Sequence, residues 1–137
     1  PAEKEFAQIS AHFIKPNYRN DHLNINFVVH QKGLDFYQDD LFSKMIVYND
    51  EDLNWLGAIS SKEIINRINQ INYDALVDLN QSINQPLSLL SLEIDIPNKI
   101  GFETPISNHL YSIEIELQKK GFIEQNYLMI EKILGID

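Results

Sequence analysis

The apolar residues of this chain fall into short patterned segments, and in four of them the pattern is alternation with polar residues. Between Phe6 and Lys15, Ala7, Ile9, Ala11 and Phe13 alternate with Gln8, Ser10, His12 and Ile14; Leu23, Ile25, Phe27 and Val29 repeat the pattern against Asn24, Asn26, Val28 and His30. Leu90, Leu92, Ile94 and Ile96 alternate with Ser91, Glu93 and Asp95, and Tyr111, Ile113, Ile115 and Leu117 with Ser112, Glu114 and Glu116. Successive side chains of an extended chain point to opposite faces, so each segment predicts a strand with one buried face. The first two flank Pro16-Asn17-Tyr18-Arg19-Asn20-Asp21, a run of turn formers, and together predict an opening β-hairpin. Residues 108–118 also suit one face of a helix through Leu110, Ile113 and Leu117, but the alternation favours a strand.

Elsewhere the spacing is helical. Asp39 and Asp40 precede Leu41, Phe42, Met45 and Ile46, acids at the end of a helix where the dipole favours them, although Met45 to Tyr48 would also make a short strand. Ser60 with Glu63 reads as a capping box opening a helix from Ser61 that carries Ile64, Ile65, Ile68, Ile71, Ala75, Leu76, Leu79 and Ile83, with Asn72-Tyr73-Asp74 as the place for a bend, and stops before Pro86. Ile123, Tyr127, Ile130 and Leu134 form a stripe with Gly135 at the stopping position, a closing helix. The predicted order is ββααββα. Strands grouped apart from helices predict an α+β fold, one domain over residues 1–137, with a largely antiparallel four-stranded sheet and helices on one face. The outward positions, Gln8, Ser10, His12, Asn24, Asn26, Glu93, Asp95, Glu114 and Glu116, leave the other sheet face wet or open to a partner.

At 137 residues and 44% hydrophobic content, the chain is large enough and apolar enough for one buried core. No repeat or linker divides it. No run of 18 apolar residues spans a bilayer, and the polar opening Pro1 to Glu5 is unlike a signal peptide. The absence of cysteine excludes disulfides, thiolate metal sites and a Cys nucleophile, and fits a reducing compartment. A soluble, cytoplasmic protein is expected.

The formal net charge is −9, which opposes a broad grip on nucleic acid phosphates or an anionic membrane and points to a basic protein as partner. Residues 34 to 56 hold six acids (Asp35, Asp39, Asp40, Asp50, Glu51, Asp52) against one lysine, together with Phe36, Tyr37, Phe42, Tyr48 and the sole tryptophan, Trp55. Carboxylates steer a cationic protein while aromatics supply the energy that holds it. Asp39, Asp40, Asp50, Glu51, Asp52 and Trp55 are the predicted partner-binding residues. A solvated acidic loop over core aromatics would give the same composition.

Motifs for chemistry fail one by one. Asp50, Asp52 and Asn54 take positions one, three and five of a calcium loop, but Trp55 stands at six, where the turn needs Gly, and Ser61 at twelve, where Glu should close the shell. His12, His22, His30 and His109 lack metal-binding spacing. The predicted hairpin would bring His12 and His30 to one polar face, which makes a small enzyme or a ligand- or metal-binding domain the alternative function. No nucleophile elbow, phosphate loop or dinucleotide fingerprint occurs. No catalytic residue, metal or cofactor is therefore expected, and a non-catalytic acidic binding module is the leading expectation. In size, charge and lack of catalytic motifs the chain resembles the small acidic immunity proteins with which bacteria neutralise their own basic toxins. That resemblance implies an inhibitor of a basic partner such as a nuclease toxin, and it carries over no residues.

Overall fold

The computed structural model describes residues 1–18, 23–37, 39–117 and 123–136, with 15–18, 39–40 and 123 described as backbone alone. Where the first strand was expected there is a helix, α1 (Lys4–Tyr18). Its buried residues are Ala7, Ser10, Ala11 and Ile14, three and four apart, the spacing of one helical face. The helix runs on through Pro16, and residues 19–21 of the expected turn lie outside the described residues. The opening hairpin is therefore absent. Strand β1 (Phe27–His30) pairs instead with β2 (Met45–Tyr48), in parallel, with Phe27 beside Met45 and His30 beside Tyr48. Two 3-10 helices, Gln31–Phe36 and Asp39–Lys44, make the crossover between them.

Helix α2 is Lys62–Asn69. Ser61 stands at its N-cap with no side-chain hydrogen bond, and the Ser60 hydroxyl donates to the Asp52 carbonyl at 3.4 Å, so the expected capping box does not form. The chain leaves the helix well before Pro86 and enters a two-residue strand, β3 (Leu76–Val77). Pro86 then opens a helix that had been expected as a strand, α3 (Gln85–Glu93): Asn84 caps it by accepting from the Leu87 amide at 3.2 Å, and proline is well placed in a first turn, where its missing N–H has no intrahelical partner to lose. Replacing Asn84 with Ala should cost about 1 kcal/mol in urea denaturation, and a loss within error of zero would show the cap to be idle. Strands β4 (Lys99–Phe102) and β5 (Ile113–Ile115) and helix α4 (Ile123–Leu134) complete the chain. Of these, β5 and α4 lie where the sequence predicts them. Gly135, at φ +66°, takes the left-handed conformation that ends α4.

The strands form two sheets, β1–β2 and β3–β4–β5, and every ladder is parallel. This corrects both the expected four-stranded antiparallel sheet and the order ββααββα, which is αββαβαββα among the described residues. Parallel neighbours need a crossover between them, supplied by the two 3-10 helices for β1–β2 and by α3 for β3–β4; with α1 before β1 and α2 between the sheets, helices cover both faces of the β1–β2 pair. Phe27, Val29, Met45 and Val47 accordingly pack toward Ala7, Ala11 and Ile14 of α1. Val28, Ile46 and Tyr48 face the other way, toward Ile64 and Ile68 of α2 and Leu90 of α3. Ile100, Phe102 and Ile115 pack on Tyr127 and Ile130 of α4 and on Ile9 and Phe13 of α1. Helix α1 thus touches the core of both sheets, and the expectation of helices on one face does not hold. No helix among the described residues is long and apolar enough to cross a membrane.

Candidate functional site

Strands β1 and β2 end side by side, and the residues at and beyond their carboxyl ends build an exposed, charged and aromatic site. His30 and Tyr48 close the two strands, with ring centroids 5.0 Å apart and planes at 85°. Burial, with the Asp78 and Asp50 carboxylates adding to it, pushes the Tyr48 hydroxyl up to about 12, so it stays neutral.

After β2 the chain makes a single 3-10 turn, Asp50–Asp52. Asn49 accepts from the Glu51 amide and donates its own amide to Asp52 Oδ2, both at 2.8 Å, a reciprocal cap that fixes the turn. Asp50 accepts from Lys32 Nζ at 2.8 Å and lies 3.0 Å from His30 Nε2. Hydrogen bonds from Lys32 and then His30, with the charge of Lys32, hold its carboxyl below the usual carboxylate range. His30 Nδ1 accepts from the Lys32 amide at 3.0 Å. A backbone N–H can only donate, so in the neutral ring the proton sits on Nε2 and faces Asp50. Both ring nitrogens are thereby engaged.

A short loop follows, closed by an antiparallel bridge between Leu53 and Ile59. Asn54 accepts from the amides of Leu56 and Ala58, each at 3.0 Å. Its backbone N–H donates to the Ala58 carbonyl, and its carbonyl accepts from Gly57, both at 2.9 Å. Gly57 sits at φ +79°, a conformation open to glycine and strained for other residues. Gln85, at the start of α3, donates to the Leu56 carbonyl at 2.6 Å. The backbone of the loop is thus tied from several sides, while Trp55 at its tip is 91% exposed and Leu56 51% exposed.

Of the predicted partner-binding residues, Asp50, Glu51, Asp52 and Trp55 come together in this turn and loop. Their roles differ: Asp50 is spent on Lys32 and His30, Asp52 on the turn, and Glu51 is exposed. Asp39 and Asp40 belong to the 3-10 helix before β2, and their side chains lie outside the described residues. The face that was to hold His12 and His30 does not exist as a sheet surface, since His12 is on the outside of α1 and His30 ends β1. Among the described residues, no group of three or more metal-ligating side chains is placed to hold an ion.

Sequence reasoning passed over a second polar cluster. Asp78, just beyond β3, is 8% exposed. It accepts from the Asn80 amide at 2.9 Å and Asn80 Nδ2 at 2.7 Å on Oδ1, and from the Tyr111 hydroxyl at 2.6 Å on Oδ2. Burial and the Asp78 carboxylate raise the Tyr111 hydroxyl above its ordinary range. The signal was present in the sequence: a lone acid inside the apolar run Leu76-Val77-Asp78-Leu79.

No curated protein and no solved structure matches this chain. A family model does match it, over residues 4–136, and because that span is nearly the whole of the sequence, the chain belongs to the family of unknown function DUF6913.

Proposed function

We propose that this chain is a non-catalytic binding module that docks a basic protein by inserting Trp55 into an apolar socket rimmed by lysine or arginine. The observation that carries the proposal is Trp55 itself, almost wholly exposed on a loop whose backbone is tied down by hydrogen bonds. A large apolar ring in water gains free energy when a partner covers it, and a loop already fixed in shape loses little entropy on docking. Trp is among the residues that most often dominate interface energies. The charge supports a basic partner: residues 34–56 carry a net −5, one lysine against six acids, on a chain of net −9. An inhibitor of a basic toxin, nucleases included, is the member of this class that best suits the size and charge, and a cysteine-free chain suits the cytoplasm.

Capture from lysate on the immobilised chain, washed at low and high salt, identifies the partner. Glu51→Lys is the clean charge reversal, because the Asp50 carboxylate is bound to Lys32 and His30 and that of Asp52 caps the turn. With the captured partner, it should lower the association rate about tenfold at low salt and far less at high salt. An unchanged rate at low salt would remove steering by this segment from the proposal.

A further inference from the structure

Strand β1 pairs on one side with β2, and β3 on one side with β4. Their other edges border the same cavity, of about 180 Å³. Phe27, Val28 and Val29 of β1 line it, and so do Leu76, Val77 and Asp78 at β3. Consecutive residues of a strand point to opposite faces, so a space that meets three in a row on each side lies in the plane of the sheets, between the two edges. It is a seam that separates the pair of strands from the trio.

The position dictates the shape and chemistry of an occupant. Strand edges present N–H and C=O groups in the plane of the sheet, where buried polar groups require partners. Above and below that plane the walls are apolar, with Ile14 of α1 on one side and Leu90 of α3 on the other. The occupant must therefore be flat, apolar on its faces and polar at its rim. Asp78 adds a specific demand. A carboxylate has about four acceptor positions; the hydrogen bonds from Asn80 and Tyr111 fill two on Oδ1 and one on Oδ2, leaving one on Oδ2 for a further donor. Volume sets the size. A cavity of about 150 Å³ lined by Leu, Ile and Phe takes up benzene, so this one has room for a small bicyclic ring and not for a strand of several residues.

We propose that the seam between β1 and β3 binds a small flat heteroaromatic molecule that directs a ring N–H to Asp78. This site is separate from the Trp55 loop and does not rest on the docking proposal.

The test uses indole, a planar bicycle with one N–H, and indene, its counterpart without that donor, titrated into the ¹⁵N-labelled full chain. Indole should shift the amide signals of Phe27–Val29 and Leu76–Asp78, with a dissociation constant on the order of a millimolar or tighter. Indene should bind about tenfold more weakly, because it leaves the carboxylate position unfilled. Ala75 also lines the cavity, and Ala75→Leu should fill it and remove the indole shifts from an otherwise dispersed spectrum. The proposal is overturned by an absence of indole shifts at several times the expected constant, by shifts confined to residues away from the seam, or by indene binding as well as indole. The comparison of the two probes needs only the unaltered chain, so it stands whether or not Ala75→Leu folds.

Discussion

Trp55→Ala is expected to weaken binding of the captured partner by roughly 30- to 1000-fold, the range of a central interface anchor at about 2–4 kcal/mol. The same change should leave stability within about 0.5 kcal/mol of the unaltered chain, because a ring that is 91% exposed packs against almost nothing in the molecule itself. That separation makes the result interpretable. A core aromatic would lose binding and stability together; an interface anchor loses binding alone. Calorimetric titration with the partner and urea denaturation of the free protein read the two quantities. Binding that survives intact would place the interface elsewhere, whereas a drop in stability of several kcal/mol would mean that the ring belongs to the core.

Gly101→Ala should be the most damaging small change in the core, costing about 2–4 kcal/mol through overpacking and strain on a charged hydrogen bond. Gly101 lies in β4 opposite Glu114, and the Tyr111 ring covers it so closely that an added Cβ would overlap the ring atoms Cδ2, Cε2 and Cζ. Tyr111 has little freedom to retreat. Its hydroxyl is held by Asp78 at 2.6 Å, so swinging the ring outward strips a donor from a buried carboxylate. The pairing is testable as a cycle: Tyr111→Leu removes the obstacle, and in that background Gly101→Ala should cost less than half as much. Equal costs in the two backgrounds would show that the ring is not what the methyl group meets.

Two of the elements that sequence patterning misassigned, α1 and α3, fail for one physical reason. Each buries serine against the rest of the fold: Ser10 on α1, Ser88 and Ser91 on α3. A pattern that counts serine as outward-facing turns Ala7-Ser10-Ala11-Ile14, a helical stripe, into the alternation of Ala7, Ile9, Ala11 and Phe13. It likewise sets Ser91 against Leu90 and Leu92, although Leu92 is exposed and Ser91 is buried. The hydroxyls of Ser10 and Ser91 are satisfied where they lie. Ser91 donates to the Ser88 carbonyl at 2.7 Å, and Ser10 to the Tyr127 hydroxyl at 3.0 Å, so burial costs these serines little. With α3, the crossover between β3 and β4, read as a strand and α1 read as one arm of a hairpin, nothing in the pattern supported parallel pairing, and the antiparallel expectation followed. By contrast β5 and α4 contain no buried serine, and their patterns could be read directly.

The acidic segment was legible as composition but not as geometry. That Asp50 would be met by Lys32 and His30 depends on the parallel register of β1 and β2, which carries residues 18 and 20 positions apart to one end of the sheet. The exposure of Trp55 runs against the usual burial of aromatics and follows from the bridge between Leu53 and Ile59. Asp78 apart, the strand residues along the seam between the sheets look like ordinary core, and only their arrangement reveals it.

The bond between Ser10 and Tyr127 joins residues 117 positions apart, and it ties the first helix of the chain to the last. During synthesis the ribosome delivers these partners in the least favourable order. At roughly 5–20 residues per second, α1 waits on the order of ten seconds for α4, with Ile9 and Phe13 lacking their final cover. The native core can therefore close only after α4 has left the exit tunnel, and a nascent chain stalled before Tyr127 should be far more sensitive to protease than the released protein.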